Sequence, residues 1–285
     1  WQKPVFGAKV QFTPDADTSP ALEPAGTKRV QEVLGCLQFY GRAVDATILP
    51  ALGSIATHQA AATEATMDAT VQLLNYCASN PEAAVLFVAS DMCLWLDTDS
   101  SYLSESKARS RTAGYLYLSD RPKDPDKPPA PADPPPMHNG AVSVPCHIMR
   151  EVLSSATEAE LGGAYHNCKE ACPIRICLEE LGHPQPPTPV KTDNSTSNGI
   201  ANGTVKQKRS KAIDMRFYWV CDRVRQKQFH VYWRPGAENK ADYFTKHHPT
   251  AHHRDMRPRY IYDKNKPQQS RNYYDCLQDA EPPDP

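Results

Sequence analysis

No apolar run in this chain is long enough to cross a bilayer, which excludes a membrane-spanning helix, and no secretory leader precedes the first polar stretch. Charge of one sign is also lacking. The formal net charge is −1 over 285 residues, so the chain as a whole has no pull toward nucleic acid or lipid, and any basic surface is local. The nine cysteines are odd in number and show no disulfide rhythm, which excludes a bridged secreted scaffold and points to a reduced intracellular setting. In that setting Asn194-Ser195-Thr196 and Asn202-Gly203-Thr204 are chance matches to glycosylation acceptors. An initiating Met is missing too, and the start at Trp1 is expected of a piece of something longer.

Proline is what the chain has in excess. Its 27 prolines are bunched, notably over 120–138, a composition that builds no core and reads as a solvated excursion inserted in a domain. Residues 1–27 read as an extended lead-in with a short strand at Lys9-Val10-Gln11-Phe12. From Lys28 to Cys77 the apolar spacing is helical (Val30, Val33, Leu34, Leu37, Tyr40, then Met67 to Tyr76), and Asn80-Pro81 stops it. Ala84 to Leu96 reads as one or two strands, Gly114 to Leu118 as the next, and Ala141 to Val152 as a strand or a pair split by Pro145. A helix follows, capped by Ser154 or Ser155 and expected to kink or break at Pro173. Cys168, Cys172 and Cys177 read as packing residues, for zinc would want a second short-spaced pair.

Chemistry concentrates in a pair of aspartates and three acids downstream. In Leu94-Trp95-Leu96-Asp97-Thr98-Asp99-Ser100, the alternate aspartates share one face of a strand and repel unless a cation or proton intervenes. A lone Asp-x-Asp is more often a strand running into a polar turn. Three acids downstream weigh against that. Glu158 fits a capping role in the first helical turn, whereas Glu160 lies on a face that Ala164 and Asn167 leave small enough to meet a strand. Asp193 ends the short strand from Pro189, and Asp242 opens a last helix. Val205 to Lys227 is the most basic part and interleaves Phe217, Tyr218 and Trp219 with its charges, as a helix that grips phosphates would. The histidines at 247, 248, 252 and 253 read as incidental in a tail that is otherwise poorly ordered.

Five separated motifs stand in one order: Asp99-Ser100-Ser101-Tyr102 with Gly114-Tyr115, Ser155-Ala156-Thr157-Glu158-Ala159-Glu160, Thr192-Asp193-Asn194, Lys208 to Arg216, and Ala241-Asp242-Tyr243-Phe244-Thr245-Lys246. Together, residues 92–248 resemble the ribonuclease H domain of copia-type retrotransposon polyproteins. Gly35 to Ala89 resembles the stretch that joins the polymerase to that domain. The resemblance implies an α/β fold, a ribonuclease H-like mixed five-stranded sheet flanked by helices and preceded by a small helical segment. It divides the chain into a lead-in (1–27), a helical connection (28–90), the ribonuclease H domain with its inserted loop (91–250) and a tail (251–285). It further implies that Asp99, Glu160, Asp193 and Asp242 hold two Mg²⁺ ions, for which Mn²⁺ can substitute, and that the substrate is the RNA strand of an RNA–DNA hybrid. Lys206, Lys208, Arg209, Lys211 and Arg216 would grip the nucleic acid, with Arg109 and Arg111 in support. Asp97, Asn194 and Asn239 are secondary candidates. The remainder of the reverse-transcriptase polyprotein is the implied protein partner, and no membrane is. Two departures stand out. The loop Trp233 to Asn239 lacks the His that cellular ribonucleases H carry there, and the polymerase's own Asp-Asp motif is absent. The competing readings are a non-catalytic nucleic-acid-binding scaffold and a related nuclease acting on DNA.

Overall fold

The computed structural model describes residues 17–205 and 214–262. Three helices come first: α1 (Pro24–Ala43), α2 (Leu49–Ala56) and α3 (Glu64–Ser79). Pro24, which has no N–H, removes one orphan amide at the start of α1, and a Thr63–Thr66 capping box serves the start of α3. Then come β1 (Cys93–Glu105), β2 (Arg109–Ser119), β3 (Ala141–Ser143), β4 (Cys146–Ile148), α4 (Ala156–Glu180), β5 (Thr188–Thr192), α5 (Ser195–Ala201), α6 (Asp214–Arg225), β6 (Phe229–Trp233) and α7 (Thr250–Met256).

The six strands form one mixed sheet in the order β3-β2-β1-β5-β6, with β4 also on β2. β1 runs antiparallel to β2 and parallel to β5, and β5 runs parallel to β6. The α4 crossover carries the chain across one face of the sheet. There Leu94, Leu96, Leu116, Val190, Phe229 and Val231 pack against Cys168, Ala171, Leu178 and Val220. The other face, through Trp95, Tyr115 and Tyr117, is covered by α1 and α2 together with Tyr243, Phe244, Tyr260 and Ile261 in one continuous core. This is the mixed α/β sheet flanked by helices that the ribonuclease H resemblance implies.

Several sequence expectations need correcting. The sheet has six strands, not five, because Pro145 splits the edge into two short strands that pair separately with β2. No strand forms over 85–92. That backbone is instead pinned by a side chain, with Asn139 accepting from Val88 N (2.8 Å) and donating to Val88 O (2.7 Å). Pro173 does not break α4. It lies on the exposed side, where water can serve the carbonyl it leaves unpaired, and buried Cys168, Ala171, Arg175 and Leu178 hold the helix on both sides of it. The helix expected at Asp242 is a single 3₁₀ turn, Asp242–Thr245. Part of the expected tail is ordered, since α7 is followed by a 3₁₀ turn over Arg257–Arg259 and a bridge from Tyr262 to Ala84. The strand expected at Lys9 to Phe12 and the tail beyond residue 262 lie outside the described residues.

Candidate metal centre

The parallel register pairs Asp97 of β1 with Lys191 of β5. Two residues further along each strand, on the same face, come Asp99 and Asp193. Asp193 follows the last residue of β5, at the carboxyl edge where open α/β sheets present their ligands. α4 supplies the third acid. Its contact line against β1 is Glu160, Gly163 and Asn167, spaced at one-turn intervals. Asn167 is fully buried and donates to Thr98 Oγ1 (2.7 Å) and Ala113 O (2.8 Å), which ties the helix to both central strands. Gly163 makes the approach possible, because a Cβ there would lie 2.1 Å from Ser100 Oγ and 2.6 Å from Thr112 Oγ1. The small-residue gap is thus at Gly163 rather than at Ala164.

Asp99, Glu160 and Asp193 each offer a carboxylate oxygen, and these oxygens lie within 4.8 Å of one another. Their electrostatics are those of a site short of positive charge. Burial, together with Asp242 and Asp193, pushes the Asp99 carboxyl up to about 6, against the pull of Thr245 and Lys246. Burial and the charges of Asp99 and Asp193 push Glu160 well above its usual range, and its Oε2 is buried without a hydrogen-bond partner. Asp193 is raised by burial and by Asp242. A divalent cation relieves all three at once. The oxygen-only donor set suits a hard ion, so the residues fit the group that the resemblance implies.

Asp242 stands beside this trio rather than in it. Its Oδ1 is engaged by the ammonium of Lys246 one turn on, while its charge is still felt at Asp99 and Asp193. The charges of Asp242, Asp99 and Asp193 overcome the burial that would lower Lys246, so its ammonium is held above the usual range. Thr245 donates its hydroxyl to Asp99 Oδ2. Thr245 and Lys246 are therefore part of the site. The five-residue run from Asp242 carried the signal, since positions i, i+3 and i+4 of one helical turn face the same way.

The secondary candidates have other employment. Asp97 is fully buried. Its Oδ2 accepts from Lys191 Nζ (2.6 Å) and from Lys240 N (3.0 Å), and His138 Nε2 lies 3.5 Å away. Burial would raise its pKa, but Lys191 and His138 prevail and hold it down at about 2. Asn194 caps α5 by accepting from Ser197 N (2.9 Å). Asn239 is buried and donates to Thr98 O (2.9 Å), which fixes the loop before Asp242.

Among the expected nucleic-acid contacts, Arg111 is a correction. It is fully buried, donates to Glu105 (2.7 Å) and Ser54 (2.9 Å), and cannot reach a phosphate. A basic run beside a turn reads as surface, and the acidic partner that takes Arg111 inside lies six residues away at Glu105. Arg109 remains at the surface and bonds Ser106 O (3.2 Å). Arg216, partly exposed, pairs with Glu151 and lies over the Tyr165 ring at 5.8 Å. Lys206, Lys208, Arg209 and Lys211 lie outside the described residues. Sequence reasoning also missed Trp233, a part-exposed indole whose Nε1 donates to Asp193 O (2.8 Å) at the rim of the acidic site.

With this geometry in place, sequence comparison shows 26% identity over 179 residues to the retrovirus-related Pol polyprotein from transposon TNT 1-94 of Nicotiana tabacum. The chain is thus similar in sequence to a part of a retrotransposon Pol polyprotein. The match covers 63% of the chain and 12% of the polyprotein's length. No family model matches. Similar solved structures include the N-terminal RNase H domain of rv2228c from Mycobacterium tuberculosis, at TM-score 0.36 and 14% identity over 59% of this chain and 97% of that one. LC11-RNase H1 in complex with RNA/DNA hybrid gives TM-score 0.36 and 10% identity over 53% and 91% of the two chains. The protease-reverse transcriptase of prototype foamy virus gives 0.32 and 14% over 55% and 21%. Three acids of the motifs, Asp99, Glu160 and Asp193, fall where β1, α4 and β5 converge.

Proposed function

We propose that this chain is a metal-dependent ribonuclease H that hydrolyses the RNA strand of an RNA–DNA hybrid, working intracellularly as one segment of a retrotransposon Pol polyprotein. The observation that carries this reading is the convergence of Asp99, Glu160 and Asp193 from three separate elements, with their oxygens within 4.8 Å of one another and their carboxyls pushed upward. Such clustering is costly in a merely structural site. Asp99, Glu160 and Asp193 would hold Mg²⁺ or Mn²⁺, and Asp242 would join them in holding a second ion once Lys246 releases it. When bound, divalent cations polarise a phosphodiester and lower the pKa of water.

The chain's own residues have defined parts. Thr245 donates to Oδ2 of Asp99 and so fixes the orientation of that carboxylate. Trp233 holds the backbone of Asp193 and presents an exposed ring face at the rim, on which a base or sugar can stack. Contacts to 2′-hydroxyls would select RNA, and the basic residues of α6 and the segment before it would grip phosphates.

The test is cleavage of a labelled hybrid with Mg²⁺ or Mn²⁺, beside single-stranded RNA and duplex DNA. Cutting confined to the hybrid's RNA, and lost in Asp99→Asn and Asp193→Asn, is the expected result. Hybrid left intact by wild-type protein with either ion refutes catalysis, and duplex DNA cut as readily as hybrid refutes the substrate. The second reading is a non-catalytic binding module, favoured by the Lys246 ammonium already seated on Asp242. It predicts hybrid affinity without turnover.

A further inference from the structure

The inserted loop 120–138 is not the free excursion that its composition suggests. It is tied at its entry, where Trp95 Nε1 donates to Asp120 O (2.9 Å) and Asp91 accepts from Arg121 N (2.9 Å). It is tied at its exit, where Ser119 Oγ donates to Met137 O (2.8 Å) and His138 faces Asp97. Its middle is met from outside by an exposed ion pair of Lys227 with Asp126 (3.7 Å) and, at three carbonyls, by one buried side chain. The guanidinium of Arg234, itself only 9% exposed, donates to Ala130 O (3.1 Å), Pro131 O (3.1 Å) and Asp133 O (2.7 Å).

The chemistry of this contact is specific to its partners. A proline-rich segment has few N–H groups and cannot join a sheet, yet every residue keeps a carbonyl. Arginine, with five donors in a rigid fork and no acceptor, is the side chain best able to gather several carbonyls at once.

Arg234 also opens the loop that leads to Asp242. Its own N–H donates to Thr192 O (3.1 Å), one residue before Asp193. Gly236 then passes so close to Asp193 that a Cβ would lie 2.7 Å from Asp193 Oδ2. Glu238 O accepts from Lys191 Nζ (2.7 Å), Asn239 holds Thr98 O, and Lys240 N–H reaches Asp97. The chain reaches Asp242 two residues later. The insert therefore grips the start of a loop whose later residues contact Asp193 and deliver Asp242.

We propose that the proline-rich insert and Arg234 form a brace that seats the loop 234–240 and thereby positions Asp193 and Asp242. Arg234 is a positioning residue, since it acts through that loop. The proposal rests on the reading of these acids as a cation site.

The test uses the full chain and four variants: Arg234→Ala, Arg234→Lys, replacement of 124–134 by a short Gly-Ser link, and that replacement combined with Arg234→Ala. Each is first shown to be folded by circular dichroism, and Arg234→Lys decides the matter should Arg234→Ala fail to fold. Mn²⁺ affinity is read by electron paramagnetic resonance, and backbone amide exchange over 236–242 by mass spectrometry. Arg234→Ala should weaken Mn²⁺ binding by about tenfold, the lower end for a residue that orients metal ligands, and should speed exchange in that loop. Arg234→Lys should recover part of both losses. The combined variant should be no worse than the poorer single one, because the two changes remove the same contact. Unchanged Mn²⁺ affinity and exchange in Arg234→Ala overturns the brace, as does a combined effect equal to the sum of the two. If wild-type protein binds no Mn²⁺ and cuts no hybrid, the cation reading fails instead, and loop exchange alone decides the brace.

Discussion

Asp99→Asn should inactivate the protein and at the same time stabilise it without metal. Asp99 is 3% exposed, and its carboxyl stands at about 6 where 3.8 is usual. At pH 7 that displacement corresponds to a ceiling of about 3 kcal/mol of destabilisation from holding the charge in the folded protein. The amide removes the charge and keeps an oxygen that can accept from Thr245, so a gain of about 1–3 kcal/mol is expected, or roughly 3–10 °C in midpoint for a chain of this size. The pH dependence follows from the direction of the shift. A carboxyl raised on folding costs nothing below about pH 4, where it is protonated in both states, and the cost grows until the folded group has ionised. The difference between variant and wild type should therefore be full at pH 7 and close as pH falls to about 4. Thermal unfolding in chelator at pH 4, 5 and 7, repeated with Mg²⁺, checks this. Mg²⁺ should raise the wild-type midpoint and leave Asp99→Asn nearly unmoved. A variant no more stable than wild type at pH 7, or a gain of the same size at every pH, would refute the electrostatic account of the site.

Four further outcomes follow from individual contacts. Asp97, held at about 2 by Lys191 and His138, contributes stability that is present above its usual 3.8 and lost as pH falls toward 2; acid unfolding followed by circular dichroism should show a loss of about 2 kcal/mol in that window, absent in Asp97→Asn. Gly163→Ala forces a methyl into Ser100 and Thr112, so it should cost about 1–3 kcal/mol and move Glu160 off the site, with metal-induced stabilisation falling in parallel. Lys246→Met frees Asp242 and should raise the number of Mn²⁺ ions bound per chain, read by equilibrium dialysis; an unchanged number would show that Lys246 does not withhold that carboxylate. Arg111→Met leaves Glu105 in the interior without its arginine and should cost about 3–5 kcal/mol by denaturant unfolding, while the salt dependence of hybrid binding stays as in wild type.

What the sequence made legible, and what it hid, divides by the range of the interactions involved. Asp99, Glu160 and Asp193, which the structure brings together, were singled out by the motifs of the resemblance, each where a local pattern ends: a strand turning polar, a helix opening, a strand giving way to a helix. The helices and most strands were legible from periodicity, and their assembly into one mixed sheet only from the resemblance. The roles of Asp97 and Arg111 were not legible, because a buried charge is identified by its partner. Lys191 lies far along the chain from Asp97, and nothing local distinguishes a buried arginine from a solvated one. The alternation that puts Asp97 and Asp99 on one face is itself neutral between them. The difference comes from β5, which places Lys191 opposite Asp97 and then ends, so that the next position on that face meets Asp193 instead of a lysine. One step along the strand turns a neutralised carboxylate into one that lacks a cation. The insert was misread for a related reason. Proline composition reports what a segment cannot do within its own backbone, and says nothing of the carbonyls that an arginine from a loop about a hundred residues away can collect.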